Sequence, residues 1–357
     1  MRNRWLASLT VLAAVIAFVS LAPVHVVGQS KTAAAAPKAK AWTPPRTAWG
    51  APDLQGVWDY RNITPLQRPD SLAGKQVLTD EEAATYEQTE NRRQNRDLVD
   101  LTRGNEQYQA LAEGGVGGVV VPYNEFWYDR GSKVIASKRT SLIVDPPDGK
   151  VPPRVRQAGA GRQGGGGGGG EAGGGNNNAF ANPEDLGLGN RCVARPIPRT
   201  SGPYNNNVQI QQAPGYVVLT YEMAHDARII PLDGRPHLPK TMRQWMGDSR
   251  GHWDGDTLVI DTANFTAKTN FQGSGENLHL VERYKLTDAK TLSYEFTVDD
   301  ATVWTRPWTV EYPMLKNPER MYEYGCQEGN YALQGILAGA RDEEKRKAPG
   351  ATANRPR

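Results

Sequence analysis

The chain has 357 residues, and its 42 Lys and Arg against 39 Asp and Glu leave a formal net charge of +3. That charge is too small, and the basic residues too scattered, to follow a nucleic-acid backbone. The only two cysteines, Cys192 and Cys326, are too far apart in sequence to form a metal motif.

Residues 1–28 follow the plan of a secretory signal peptide: basic Arg2 and Arg4, an apolar run from Leu6 to Ala22, and small residues near Gly28. An uncleaved membrane anchor is the competing reading, because the run approaches spanning length, but Pro23 and His25 interrupt its end. The expectation is a periplasmic or secreted protein with no membrane attachment after signal cleavage. No later segment has the length and apolarity to span a bilayer. Residues 29–48, with the run KTAAAAPKAK, read as a flexible leader.

Gly50, Pro52 and Gly56 then punctuate a short strand at Val57 to Tyr60. LTDEEAATYEQTENRRQNRDL predicts a peripheral helix, opened by a Thr79/Glu82 capping box with Asp80 and Glu81 in its first turn. NEFWYDRGSKVIASKRTSLIVDPPDGKVP predicts a hairpin and a further strand, at Phe126 to Tyr128, Lys133 to Ala136 and Thr140 to Val144. The stretch at about 157–182, dominated by Gly and Asn, has no apolar period and reads as a disordered loop. It lacks the strand before it and the Gly-Lys-Ser/Thr after it that a phosphate cradle needs.

Beyond Cys192 the pattern is almost wholly β, with tight turns at Pro214-Gly215, Asp233-Gly234 and Asp254-Gly255. NYALQGILAGARDEEK predicts a short C-terminal helix with Leu333, Ile336, Leu337 and Ala340 on one face, and 342–357 read as a disordered tail. Strands at this spacing predict a mainly β fold: one antiparallel barrel or sandwich over residues 49–341, flanked by the two helices. In an oxidising compartment Cys192 and Cys326 are expected to form a disulfide; two buried free thiols are the alternative.

The motifs FWYDRGSKV, RTSLIVDPPDGKVP, PYNNNVQI, HDARIIPLDGRPH, GHWDGDTLVIDTANF and YGCQEGNYALQGILAGAR together resemble a large family of exported bacterial β-rich proteins of unassigned function. The likeness runs from about Trp49 to Arg341 and implies an exported β domain without implying a mechanism. The Gly/Asn-rich insertion is longer than the family pattern. Gln327 stands where relatives often carry a histidine after the cysteine.

Candidate site residues come from strand periodicity. In ENLHLVERYKL, Leu278, Leu280, Tyr284 and Leu286 share one strand face, and Glu282 lies among them. Leu292, Tyr294, Phe296 and Val298 form the matching face of the next strand, and Trp304, Arg306, Trp308, Val310 and Tyr312 share parity in TVWTRPWTVEY. A buried carboxylate needs a partner, and Arg306 can supply a bidentate one. Glu282 and Arg306 then form either a structural ion pair or, with Trp304, Trp308 and Tyr294, a ligand-binding floor. A rotated strand with Glu282 in solvent is the third reading.

YEMAHDARIIPLDGRPH carries a second constellation: His225 and Asp226 either end a strand and satisfy turn amides, or His225 acts as a general base oriented by Glu222 or Asp226. His225, His237, His252 and His279 fall in one quarter of the chain, but none has HxH or HExxH spacing, so no metal site is assigned. His237 and His252 read as exposed loop residues, and GDSRG around Ser249 lies in a turn without the helix that a nucleophile elbow requires. The resulting functional expectation is an exported protein that binds a small polar or aromatic ligand, such as a sugar, with no cofactor and no nucleic-acid partner. The alternative is a cofactor-independent lyase, isomerase or hydrolase using His225, Glu222 or Glu282.

Overall fold

The computed structural model describes residues 42–98, 124–155, 182–328 and 330–347. The expected signal peptide (residues 1–28), most of the expected leader and the Gly/Asn-rich stretch lie outside them. From Pro44 on, the chain forms one compact unit. The end of the expected leader is part of it: Pro45 O accepts from Asp53 N, and Arg46 pairs with Asp256 at 2.5 Å.

The fold is mainly β. Ten strands make one antiparallel sheet: β1 (Gly56–Asp59), β2 (Ile143–Asp145), β3 (Asn207–Ala213), β4 (Tyr216–Tyr221), β5 (Ala227–Pro231), β6 (Asp248–Asp254), β7 (Thr257–Ala263), β8 (His279–Leu286), β9 (Thr291–Asp299) and β10 (Trp308–Asn317). The strand order is β5-β4-β3-β1-β10-β9-β8-β7-β6. β1 lies between β3 and β10, where it joins the meander β6 to β10 to the meander β3 to β5. β2 pairs with the start of β10, opposite Thr309 and Val310.

The turns are those that the sequence marks. Gly215, at φ 79°, closes the β3–β4 hairpin beside the Ala213/Tyr216 pair, and Gly255, at φ 60°, does the same between β6 and β7. Period-two burial is strict where it was expected. Leu280, Glu282, Tyr284 and Leu286 of β8 face inward with Leu292, Tyr294, Phe296 and Val298 of β9. Trp308, Val310, Tyr312 and Met314 of β10 join them in one continuous core with Trp58, Ile210, Leu219, Ile230 and Ile260.

The sheet curls until its edge strands β5 and β6 face each other through side chains with no ladder between them, so it is not closed. Gly251 of β6 makes that approach possible. A Cβ there would stand 2.6 Å from Leu232 Cδ2 and 2.9 Å from Ile230 Cγ2.

Helix α1 (Asp80–Gln94) has the expected capping box, with Glu82 N donating to Thr79 Oγ1 and Thr79 N to Glu82 Oε2. Ala83 is its one buried residue, so it is peripheral. Helix α2 (Tyr331–Lys347) turns Leu333, Ile336, Leu337 and Ala340 inward. It also takes in residues 342–347, which the sequence assigns to a tail.

Two expected strands are missing. Glu125–Trp127 forms a 3-10 turn, and Lys133 to Ala136 forms no ladder. The backbone there makes single bonds to different segments, Ile63 N to Lys133 O and Ile135 N to Thr64 Oγ1, so alternation along the sequence has no partner strand to pair with.

Gly251→Val is expected to overpack the β5–β6 seam and lower stability by about 1–3 kcal/mol. A urea unfolding midpoint unchanged from wild type would show that the seam is looser than this.

Candidate functional site

Glu282 is wholly buried, and its partner is Arg228 of β5 at 2.6 Å, not Arg306. Arg228 spreads its guanidinium over four acceptors: Glu282 Oε2, Ser249 Oγ at 2.9 Å, Thr262 Oγ1 at 2.9 Å and Tyr221 OH at 3.0 Å. On the other side of the carboxylate, Tyr294 donates to Oε1 at 2.8 Å and Tyr284 at 3.2 Å. Burial penalises the Arg228 cation, yet the adjacent Glu282 carboxylate holds its pKa well above the ordinary value. Burial and the same negative charge push the Tyr284 and Tyr294 hydroxyls well up, which keeps them protonated donors. Ser249, expected in a turn, is buried in β6 as part of this network.

Arg306 lies two residues before β10 begins at Trp308, so strand parity does not extend to it. Its side chain is 49 % exposed and clasps both oxygens of Asp145, at 2.7 and 2.6 Å. Trp304 and Trp308 are buried, but they pack edge to face with each other, and Phe271 stacks on Trp308. Trp304 Nε1 donates to Ser274 Oγ at 3.1 Å. These indoles are core packing around Tyr294 and Phe296, not the floor of an open site.

The open hollow lies elsewhere. A cleft of about 520 Å3 is lined by Trp127, Asp129, Tyr204, Asn205, Glu222, Tyr322 and Tyr324. Glu222 enters it from the end of β4. It is buried, accepts from Asn207 Nδ2 at 2.8 Å on one oxygen, and accepts from Tyr322 N at 3.4 Å on the other. Tyr204 and Asn205 sit on the loop into β3, where Asn205 adopts φ 54°, a left-handed conformation that Asn tolerates well. Asn206 ties that loop to the other wall, donating to Asp129 O at 2.7 Å.

Tyr324 is held from several directions. Its ring stacks on Tyr204 at 6.3 Å and 25°, its hydroxyl accepts from Arg195 at 3.2 Å, and its N–H donates to His225 Nδ1 at 3.3 Å. Two residues on, Cys326 is bonded to Cys192, with the Cα atoms 5.7 Å apart. The expected disulfide is therefore present, and it anchors the segment that carries Tyr322 and Tyr324.

Glu222 and His225 are thus brought to one region, and Glu282 stays in the core. His225 Nδ1 accepts the Tyr324 backbone N–H at 3.3 Å. Neither proposed carboxylate orients the ring. Glu222 holds Asn207 and Tyr322, and Asp226 accepts from Arg199 at 2.5 Å and Arg195 N at 2.9 Å. Burial raises the Asp226 pKa despite the Arg199 charge. Tyr204, Tyr322, Tyr324 and Trp127 were not among the sequence-predicted site residues. They lie in turn-rich PYNNN, MYEYG and NEFWY segments, where aromatic residues next to Asn and Gly outside any strand are the only signal.

The histidines form a different constellation. Asp248 Oδ2 meets His237 Nδ1 at 3.0 Å, His237 Nε2 meets Asp261 Oδ1 at 2.8 Å, and His279 Nε2 meets Asp261 Oδ2 at 2.8 Å. His237, expected as an exposed loop residue, is therefore half-buried and held on both ring nitrogens, while His252, expected in a loop, is exposed on strand β6. No group of three or more His, Cys, Asp or Glu among the described residues could hold a metal ion.

Arg228→Met or Glu282→Gln strands the other member of a desolvated pair and is expected to cost about 3–5 kcal/mol in urea unfolding. The double variant should recover part of that loss; strictly additive losses would disprove the coupling. The outer histidine chain carries a pH signature. Its hydrogen bond to Asp261 raises the His279 pKa above 6.5. Half-burial works against the Asp261 charge, but His279 and His237 outweigh it and lower its pKa below 3.8. The His279 contribution is complete below the unfolded imidazole value and is lost as pH rises through the raised folded value; that of Asp261 is lost as pH falls through its lowered one. Both groups are partly exposed, so the effect is below about 1 kcal/mol. Thermal melts from pH 5 to pH 9 should show wild type losing this increment on the alkaline side, and Asp261→Asn should show a flatter profile. Compared with known proteins, the chain matches no family model and no curated sequence.

Proposed function

We propose that this is an exported protein that binds a sugar in the aromatic cleft. The observation that carries the reading is the convergence of Trp127, Tyr204, Tyr322 and Tyr324 with Asp129, Asn205 and Glu222 around one open hollow of about 520 Å3. A pyranose ring has two apolar C–H faces and a rim of hydroxyls. Tyr and Trp rings supply flat apolar surface with a polar edge, and carboxylate and amide oxygens accept hydroxyl donors. The volume lies within the ~300–1,000 Å3 span of small-molecule sites. Export is supported by the Cys192–Cys326 disulfide, by the signal-like residues 1–28 and by the motif resemblance. No helix of the described residues is long and apolar enough to cross a membrane.

One observation favours a second reading, acid–base catalysis without a cofactor. Glu222 is buried in the cleft wall yet faces its hollow. In that case Glu222→Gln retains ligand and loses turnover.

Titration calorimetry with a panel of neutral and acidic sugars should give a saturable isotherm for at least one. Tyr204→Ala or Tyr322→Ala should weaken that binding about tenfold, ~1.4 kcal/mol, with unchanged circular dichroism. Equal affinity in both variants would remove the cleft as the site.

A further inference from the structure

Tyr324 also lines a second hollow. This one, of about 290 Å3, is lined by Asn190, Arg195, Tyr324, Asn330, Leu333 and Ile336, together with the disulfide and Gly189. Tyr324 is the one residue shared by the linings of the two hollows. Tyr204 stacks on its ring, and the Arg195 guanidinium carbon stands 5.9 Å from the ring centroid.

The two hollows differ in capacity. The first is large enough to hold a small molecule alone, whereas the second falls at the lower bound of such sites. It shares with the first an aromatic ring and asparagine, from Asn190 and Asn330, and adds the Arg195 guanidinium and an apolar wall from Leu333 and Ile336 on the first turns of α2; Asn330 Nδ2 already donates to Asn190 O at 3.1 Å. Amide groups offer both donors and acceptors, which suits hydroxyls better than it suits a single charged group. On the outer side of the first cleft the ring surface also continues. Phe126, 83 % exposed, packs edge-on against Trp127 with ring centroids 5.2 Å apart. The result is a succession of ring faces and amides from Phe126 through the cleft to α2.

From this succession we infer that the ligand is an oligosaccharide of at least two units, with one unit in the aromatic cleft and the next across Tyr324 against Asn190, Asn330 and Leu333. This rests on the sugar-binding reading above and adds chain length to it. A polymer suits the arrangement because each unit repeats the same ring and hydroxyl pattern, and adjoining subsites add their free energies through one covalent ligand.

The experiment compares matched pairs of probes by calorimetry on the oxidised, disulfide-bonded protein: glucose with maltotetraose and cellotetraose, and N-acetylglucosamine with chitotetraose. The tetramer of the preferred series is expected to bind at least tenfold tighter than its monomer. Asn190→Ala and Leu333→Ala should each remove most of that gain and leave monomer affinity unchanged, while Tyr204→Ala weakens both. A tetramer that binds no tighter than its monomer, or a gain untouched by both second-hollow variants, overturns the inference and leaves the sugar reading standing. No binding by any probe overturns the two together.

Discussion

The interior is organised around one electrostatic constraint. Glu282 and Arg228 are held in a volume that excludes solvent, where a lone charge costs several kcal/mol and even a paired one must have its remaining hydrogen-bonding capacity met. The surrounding residues follow from that demand. Tyr284 and Tyr294 turn their hydroxyls to one oxygen of Glu282, while Ser249, Thr262 and Tyr221 take the guanidinium. These partners come from β4, β6, β7, β8 and β9, with Arg228 on β5. A polar group on six of the ten strands therefore has to sit at one depth, which fixes register across that part of the sheet as an apolar core alone would not. The same contacts bridge the two edge strands that have no ladder between them.

The network also reaches the cleft. Tyr221, which accepts from Arg228, lies with its ring 5.0 Å from the Arg199 guanidinium, and Arg199 pairs with Asp226. Asp226 holds the backbone N–H of Arg195, whose side chain donates to Tyr324. Tyr312, also in the core, donates to Arg199 O. A chain of ring, ion-pair and hydrogen-bond contacts thus runs from the centre of the sheet to the back of the cleft.

Much of the fold was legible because strands that bury one face carry it openly. The alternation in β8, β9 and β10 showed which residues point inward, and it showed Glu282 among them. Its partner was hidden for a physical reason. Arg228 lies 54 residues away on the opposite edge strand, and the meeting of β5 with β6 is a product of sheet curvature that no local pattern encodes. Arg306 shares parity with Trp308, yet it precedes the strand, and parity has meaning only within a ladder. The disulfide was legible from compartment and cysteine count. The cleft was only partly so. Glu222 stands at a strand end and drew attention, whereas Tyr204 and Tyr322 lie in irregular backbone whose geometry depends on Asn205, Asn206 and the disulfide.

The two tyrosines that the disulfide anchors differ in how firmly they are held. Tyr324 is bound through its ring, its hydroxyl and its backbone N–H, close to the Cys192–Cys326 bond. Tyr322 is well exposed, with its N–H on Glu222 at 3.4 Å. Binding energy is lost to whatever must be ordered, so a ring that is already held, as Tyr324 is, costs less to bind against than the exposed ring of Tyr322. On the oligosaccharide reading proposed above, Tyr324 would therefore fix the register of the chain, and the unit beside Tyr322 would be the less tightly specified one.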